Sequence, residues 1–286
     1  IPTYLAANTR PLNIVNCDNR LIASAARLCW ESTLSNWVLP RQQGFLSGRS
    51  ILQNLFDVDT SSMHTSLMHD NGACILMDFS SAFPSISQDY MIKVLTSIGL
   101  PPAALHLITS LYDESYCRIQ LNGILGDPFY LRAGVRQGCP LSPLLYAVIA
   151  EVLLDNIEHS CPNTLVRAYA DDTALVVEDI WREGPTLAAL FEQFRKISGL
   201  HLNTNKCLII PLSLSPYVQI KNHLSTHIPT WRDMVVTGSG KYLGFYVGPD
   251  KGHKSWTDPT NKYLQRCQLW QDRPLGLNFH TTVYNT

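Results

Sequence analysis

Two adjacent carboxylates, Asp171 and Asp172, lie between apolar segments of the chain. Leu165-Val166 precedes them and Ala174-Leu175-Val176-Val177 follows, a pattern typical of a β-hairpin with the acids at its turn. Neighbouring carboxylates in an apolar setting repel each other and lose hydration, so they need a proton or a cation. Their hard oxygens suit Mg²⁺. Taken alone, the pair is better explained as a solvated turn, and only a third acid upstream favours a metal site.

That acid is Asp78, which ends the apolar run Ala73-Cys74-Ile75-Leu76-Met77. The run follows the turn-like Asp70-Asn71-Gly72 and predicts a buried strand with Asp78 at its end. If this strand lies beside the hairpin, the acids form the ligand set of a two-metal phosphoryl-transfer centre. In such centres the ions lie roughly 3.5–4 Å apart, one activating the attacking oxygen and one stabilising the leaving group.

Further motifs occur in order along the chain. They are Arg10-Pro11-Leu12, Gln43-Gly44-Phe45-Leu46-Ser47-Gly48-Arg49-Ser50, Asp78-Phe79-Ser80-Ser81-Ala82-Phe83-Pro84, Arg136-Gln137-Gly138-Cys139-Pro140-Leu141-Ser142-Pro143, Tyr169-Ala170-Asp171-Asp172, Gly199-Leu200-His201-Leu202-Asn203-Thr204-Asn205-Lys206 and Lys241-Tyr242-Leu243-Gly244-Phe245. With these motifs, which cover residues 10 to 248, the chain resembles a reverse transcriptase of the non-LTR (LINE-type) retrotransposon family. Each motif alone is a weak signal, whereas the ordered set is a strong one.

The resemblance implies an RNA-directed DNA polymerase, a nucleotidyltransferase that uses an RNA template, a DNA primer and dNTPs. The primer 3′-hydroxyl attacks the α-phosphate of a dNTP and pyrophosphate leaves, so catalysis depends on positioning and electrostatics. It further implies two Mg²⁺ ions, with Mn²⁺ as an alternative. Asp78 and Asp171 would bridge these ions, Asp172 would be a further ligand, and Phe79 would contribute its backbone carbonyl.

The resemblance also assigns substrate-binding residues. Phe83 matches a steric gate that excludes a 2′-hydroxyl, the group that distinguishes RNA from DNA precursors, although a Phe beside Pro84 is usually a core residue. The remaining substrate-binding residues implied are Phe79, Gln137, Gly138, Tyr169 and Arg10. Gly138 allows close backbone approach before a helix N-terminus, which favours phosphate, and the planar fork of Arg10 suits triphosphate oxygens. A lysine expected before Arg10 has no candidate in residues 1–9.

Two further assignments concern the later motifs. Lys206 matches a lysine that protonates the departing pyrophosphate, a task that a tuned lysine can perform. Leu243 and Gly244 resemble the primer grip, although a core strand with a bulge explains them equally well. His223 and His227 have a zinc-binding helical spacing, but no third ligand is near, so no zinc site is predicted.

Periodicity predicts the elements that position these residues. Three predicted helices begin after Asp18, Ser50 and Ser87, and the first of them has Leu21, Ile22, Ala25 and Leu28 in the core. Three more predicted helices cover Leu105 to Leu111, Pro140 to Asn156 and Thr186 to Ser198. The predicted strands, besides those at the acids, are Cys117 to Leu121, Phe129 to Leu131 after an Asn122-Gly123 turn, Cys207 to Ile210 and Tyr242 to Val247.

This order of elements predicts an α+β fold. By resemblance it is a right-hand polymerase core, with an antiparallel palm sheet backed by helices. The predicted domains are fingers at 1–72, a palm with intermingled fingers segments at 73–248, and the incomplete start of a thumb or connection at 249–286.

Composition limits the remaining alternatives. A hydrophobic content of 45% and a charged content of 16% exclude a disordered chain, while the net charge of −1 gives no signature of nucleic-acid binding. Eight cysteines without a Cys-x-x-Cys pair indicate free thiols in a reducing compartment. The expected location is intracellular, in the cytoplasm and nucleus. No apolar run is long enough for a membrane span, and we expect fusion to further domains.

Two other functions are consistent with the same motifs. A group II intron or related cellular reverse transcriptase would share most of them, and a neighbouring maturase rather than endonuclease domain would identify it. A catalytically inactive RNA-binding remnant is the second alternative, and the three intact aspartates argue against it.

Overall fold

The computed structural model describes residues 14–213 and 217–271. Its helices are α1 (Cys17–Trp37), α2 (Ile51–Met68), α3 (Ala82–Ser85), α4 (Gln88–Ser97), α5 (Pro102–Tyr112), α6 (Ser142–Ser160), α7 (Ile180–Ser198), α8 (Tyr217–His227) and α9 (Lys254–Gln271). Its strands are β1 (Ala73–Met77), β2 (Tyr116–Cys117), β3 (Gln120–Leu121), β4 (Ile124–Leu125), β5 (Phe129–Tyr130), β6 (Leu165–Tyr169), β7 (Asp172–Val177), β8 (Leu208–Pro211), β9 (Val235–Val236), β10 (Gly240–Tyr242) and β11 (Phe245–Val247). The α+β prediction is confirmed.

A five-stranded sheet in the order β6-β7-β1-β8-β9 forms the centre of the fold. Neighbouring strands are antiparallel, apart from the parallel pair β8–β9. Strand β1 is buried along its whole length, because both faces of the sheet are covered. Ile75 packs into the large core that includes α6 and α7, whereas Cys74 and Leu76 pack into a second core with Val58 of α2 and Tyr242 of β10. Burial on both faces explains an uninterrupted apolar strand where a one-sided sheet would show alternation.

Helix α6 underlies the sheet, as its apolar sequence predicted. Twelve of its residues are buried, which leaves no wide polar face. Helix α7 begins at Ile180, six residues before the predicted Thr186. The side chain of Asp179 accepts hydrogen bonds from the N–H groups of Trp181 and Arg182, and this N-cap stabilises the first turns despite Pro185 within the helix.

The predicted core face of α1 is wrong. Leu21 and Leu28 are 70% and 81% exposed, and Ile22 is also exposed. The buried residues are Ala23, Ala26 and Leu34, because α1 packs against α6 through its small side chains. Both residue sets recur at helical spacing, so periodicity alone could not choose between them.

Two turns determine the remaining strands. The predicted Asn122-Gly123 turn is confirmed, with φ values of 51° and 82° between β3 and β4. The single strand predicted from Tyr242 to Val247 is instead a hairpin, with Leu243 and Gly244 at φ 48° and 91°. Positive φ at both positions reverses the chain direction within two residues, which the apolar flanks concealed.

Candidate active site

The acids meet at one end of the central sheet. Antiparallel pairing places Met77, the last residue of β1, opposite Thr173 of β7. One step further along each strand are Asp78 and Asp172, so the register brings these two residues to the same sheet end. The predicted adjacency of the two strands is confirmed by this pairing.

The third acid lies in a tight turn beside them. Tyr169 and Asp172 are partners in the β6–β7 ladder, so only Ala170 and Asp171 form the connection. Ala170 has φ 58°, a left-handed conformation that costs a residue with a Cβ some strain. The turn holds Asp171 half-buried and Asp172 exposed, while Asp78 is half-buried on the neighbouring strand.

The two turn acids generate a negative potential that reaches the elements around them. The pKa of Tyr146 on α6 is raised well above its usual value, first by burial and then by Asp171 and Asp172. Burial also raises the pKa of Tyr242 on β10, with a contribution from Asp172. Both tyrosines therefore lie close enough to the turn to sense its negative charge, and such a charge favours a nearby cation.

The donor set fits a hard cation that shares its ligands with a substrate. Carboxylates are the oxygen ligands that Mg²⁺ prefers, and Mg²⁺ is usually held by one or two of them together with water and phosphate oxygens. Within 14–213 and 217–271, no three or more His, Cys, Asp or Glu side chains form a group that could hold a metal ion by themselves.

The backbone of Asp78 is anchored by the segment before β8. The N–H of Asp78 donates to Sγ of Cys207 at 3.3 Å, and the N–H of Asn203 donates to the carbonyl of Asp78 at 2.8 Å. Phe79 is buried and forms a bridge with Leu202 in the same segment. Burial raises the pKa of Cys207 to about 11, so this thiol stays neutral beside the acids.

Lys206 lies next to Cys207, on the surface of this segment. Its side chain is exposed, and its N–H donates to the carbonyl of Asn203 at 2.8 Å. The next residue, Cys207, contacts the backbone of Asp78, so Lys206 lies in a segment beside the acids. Its role as a proton donor to pyrophosphate stays a prediction.

Phe83 belongs to an aromatic cluster, which we define as Phe45, Phe83, Tyr146 and Tyr169. Phe83 stacks on Tyr146 with ring centroids 4.6 Å apart and an interplanar angle of 10°. Phe45 meets the edge of Phe83 at 6.0 Å and Tyr169 at 6.4 Å. Phe83 is half-buried, so it packs on the core through one face. Sequence reasoning did not single out Phe45 or Tyr146. Phe45 lies in a Gly-rich loop and Tyr146 in an apolar helix, and neither context distinguishes an aromatic residue at a site from one in the core.

Gln137 and Gly138 lie in the loop before α6. Gly138 is exposed with φ 97°, a conformation that favours glycine, and Gln137 is half-buried. Helix α6 begins at Ser142, so both residues precede its N-terminus as predicted. The substrate-binding role of Gln137 and Gly138 stays a prediction.

The predicted primer-grip residues form the tip of the β10–β11 hairpin. Leu243 is half-buried and Gly244 is exposed. The hairpin is tied to β6 at its base, where the Tyr242 hydroxyl donates to the carbonyl of Arg167 at 3.3 Å. Arg10, the predicted triphosphate ligand, lies outside the described residues.

An ion cluster around the buried Arg41 supports the loop that packs against the Ala170-Asp171 turn. Arg41 is 3% exposed and contacts three carboxylates on α6: Glu151 at 2.6 Å, Asp155 at 2.7 Å, and Glu158. One cation cannot neutralise three carboxylates, and Glu151 is the buried member. Burial raises the pKa of Glu151 to about 7 despite the opposing effect of Arg41.

This pKa predicts a pH-dependent stability. Between pH 4.5, the ordinary value for Glu, and about 7 the folded protein holds a proton that the unfolded chain has lost. The free energy of unfolding should therefore fall as pH rises through this window, and then stay level. Glu151→Gln should remove the part of this decrease in unfolding free energy that Glu151 causes, as measured by urea unfolding at pH 5 and 7.5. Glu192→Gln, on the surface of α7, is the control and should leave it in place; equal slopes for Glu151→Gln and the unsubstituted protein would contradict the assignment.

The chain matches a family model over most of its length. Residues 3–247 match the family described as reverse transcriptase (RNA-dependent DNA polymerase). The chain belongs to this family. Reverse transcriptases generally use divalent metal ions, in agreement with the donor set at the sheet end.

Sequence relatives of this reverse transcriptase include retrotransposon proteins. A 149 kDa protein of transposon TX1 from Xenopus laevis is 29% identical over 188 residues, which are 62% of this chain and 14% of that protein. The Pol polyprotein of element R2DM from Drosophila melanogaster is 30% identical, over 63% of this chain and 18% of that protein. An R2 polyprotein from Popillia japonica is 26% identical, over 85% of this chain and 35% of that protein. The chain thus spans 14–35% of these relatives.

Solved structures share the fold of this reverse transcriptase. Apo telomerase from Candida tropicalis without its C-terminal domain aligns with a TM-score of 0.58 and 11% identity, over 82% of this chain and 48% of that one. At this identity the alignment shows the fold alone. The recognition of a reverse transcriptase, a family of nucleotidyltransferases, and the polymerase-type α+β fold are confirmed. In the parts of the chain that the structure describes, no helix has the length and apolarity to cross a membrane.

Proposed function

We propose that this chain is the RNA-directed DNA polymerase segment of a non-LTR retrotransposon protein. The observation that carries the proposal is the sheet register, which brings Asp78 of β1 beside Asp172 and the Asp171 turn. Asp78 and Asp172 lie at one end of neighbouring strands and Asp171 in the adjoining turn, all at least partly exposed, so together they form a surface on which charged phosphates can react.

In the proposed reaction the acids hold two Mg²⁺ ions, with Mn²⁺ as an alternative. Such ions lower the pKa of an attacking hydroxyl and neutralise charge on a leaving phosphate. The residues of this chain supply position: Asp78 is fixed through the contacts of its backbone, and Asp171 through the turn that carries it. Phe79 is proposed to add its carbonyl, and Lys206 a proton for pyrophosphate.

The proposed partners are an RNA template, a DNA primer and dNTPs. The names of the relatives support retroelement origin over a group II intron. A telomerase from Candida tropicalis solved with a fragment of telomeric RNA has a TM-score of 0.56 to this chain, which supports a nucleic-acid substrate. Arg10, Gln137, Gly138 and Tyr169 are proposed to contact the nucleotide, and Leu243 with Gly244 the primer.

The remaining proposals concern the whole protein. Residues 1–72, 73–248 and 249–286 are proposed as fingers, palm and the start of a thumb, within a larger protein that has further domains. We propose that the protein acts in the cytoplasm and nucleus, because its proposed template is RNA and its proposed product is DNA.

A primer-extension assay tests the proposed function. The chain is incubated with an RNA template, an annealed DNA primer, dNTPs and Mg²⁺, and product lengths are resolved on a gel. Extension that requires the RNA template and stops with EDTA supports the proposal. Binding of the annealed duplex without extension, in either Mg²⁺ or Mn²⁺, would instead identify an RNA-binding remnant.

The position of Phe83 predicts sugar selectivity. Replacement by Val shortens the side chain where a 2′-hydroxyl would clash, so ribonucleotide use relative to dNTP use should rise by about 10–100-fold. Competition between rNTPs and dNTPs in primer extension measures this ratio. Phe194→Val on α7, where Phe194 packs against Tyr90, is the control for lost core packing and should leave the ratio unchanged. An unchanged ratio in Phe83→Val would mean that Phe83 is a core residue only.

A further inference from the structure

Gln42 is fully buried, and its side chain reaches the catalytic turn. Its Oε1 accepts a hydrogen bond from the N–H of Ala170 at 2.8 Å, and its Nε2 donates to the carbonyl of Ala170 at 3.0 Å. The same Oε1 accepts a bond from the N–H of Gly44 at 2.8 Å. One amide thus binds both polar groups of the residue that precedes Asp171.

Ala170 needs such support because of its conformation. A φ of 58° is unfavourable for alanine, and a residue held there relies on its surroundings. Its backbone groups are also buried, so without Gln42 they would lose their partners. The two bonds from Gln42 therefore favour this orientation of the peptide groups on either side of Ala170.

The loop that carries Gln42 lies directly against the turn. A Cβ added to Gly44 would come within 2.2 Å of the Ala170 nitrogen, so only glycine permits this approach. The loop also pairs with β6: the N–H of Ala168 donates to the carbonyl of Arg41 at 2.7 Å, and the N–H of Gln43 donates to the carbonyl of Ala168 at 2.8 Å. The buried ion pair between Arg41 and Glu151 anchors this loop to α6.

We propose that Gln42 is a positioning residue for Asp171: it holds the Ala170 peptides and so directs the adjacent carboxylate toward the metal. The proposal rests on the proposed function for the identity of the metal site. Groups that orient metal ligands without touching the metal typically change affinity or activity by 10–100-fold when they are replaced.

Gln43 provides a matched control. It is also buried, and its amide also makes two bonds to backbone groups, donating to the Pro40 carbonyl at 2.6 Å and accepting from the Ser50 N–H at 3.1 Å. Neither bond involves the Ala170 turn. Methionine has nearly the shape of glutamine and removes all of these bonds at either position.

The experiment compares Gln42→Met with Gln43→Met. Mn²⁺ affinity is measured by electron paramagnetic resonance, thermal unfolding by circular dichroism, and kcat and KM by primer extension. Gln42→Met should weaken Mn²⁺ binding about 10-fold and lower kcat at nearly constant KM for primer and template. Gln43→Met should lose thermal stability while Mn²⁺ affinity stays within about twofold of the original value.

Unchanged Mn²⁺ affinity in Gln42→Met, or an equal loss in Gln43→Met, would overturn the proposal. If Gln42→Met does not fold, Gly44→Ala disturbs the same contact from the other side, and Gly126→Ala, where the nearest atom is 3.5 Å away, is its control. Weaker Mn²⁺ binding in Gly44→Ala alone supports the proposal, and equal affinities overturn it. A chain that binds Mn²⁺ but never extends a primer refutes the proposed function, while the affinity comparison still decides the role of Gln42.

Discussion

Asp171→Asn should reduce primer extension by roughly 10³-fold, equivalent to about 4 kcal/mol of transition-state stabilisation. Asparagine keeps the size of the side chain and removes the negative charge. Since Asp171 lies in the turn next to Asp172 and near Asp78, the loss would weaken the hold on the proposed ions at the point where phosphate charge develops. The rate is measured in single-turnover extension of one nucleotide, with Mg²⁺ varied to separate weak metal binding from slow chemistry.

Asp127→Asn is the control for this substitution. Asp127 is exposed in the connection between β4 and β5, away from the central sheet, and its replacement should leave the rate within about twofold, as is usual for surface positions. Thermal unfolding should be nearly the same for both variants. Equal extension by Asp171→Asn and the unsubstituted chain would reject the catalytic assignment.

Arg41→Met should have the largest effect on stability, a loss of about 3–5 kcal/mol in the free energy of unfolding. The substitution removes the direct ion pair of the buried Glu151, while Asp155 and Glu158 are partly exposed and can be hydrated. The thermal midpoint should fall by roughly 6–20 °C at pH 8. The loss should be smaller at pH 5, because protonation of Glu151 removes the unpaired charge.

Two further variants separate charge from packing at this site. Arg195→Met removes an arginine that is 48% exposed on α7 and paired with Glu192, and should cost less than about 1 kcal/mol. The double substitution Arg41→Met with Glu151→Met replaces the buried pair by apolar groups and should recover most of the loss. A double variant as unstable as Arg41→Met would show that Arg41 acts through its bonds to the exposed acids.

Much of the site follows from local patterns. The apolar run before Asp78 has the composition of a strand buried on both faces, and the flanks of Asp171 and Asp172 have that of a hairpin. Charge and desolvation made these acids candidates for metal binding, and the ordered motifs indicated the family. None of these inferences needed contacts between distant residues, because strand patterns and turn chemistry are properties of short segments.

Tertiary structure decided what depends on which elements meet. Packing against α6 selected the small face of α1 that carries Ala23 and Ala26, although Leu21 and Leu28 repeat with the same period. Nothing in the local sequence marks Gln42 over Gln43, yet of these two amides only that of Gln42 reaches Ala170 in the turn before Asp171. Sequence thus determined which groups can do chemistry, and long-range packing determined which neighbours hold them, because a hydrogen bond across 128 positions depends on where the folded chain places both partners.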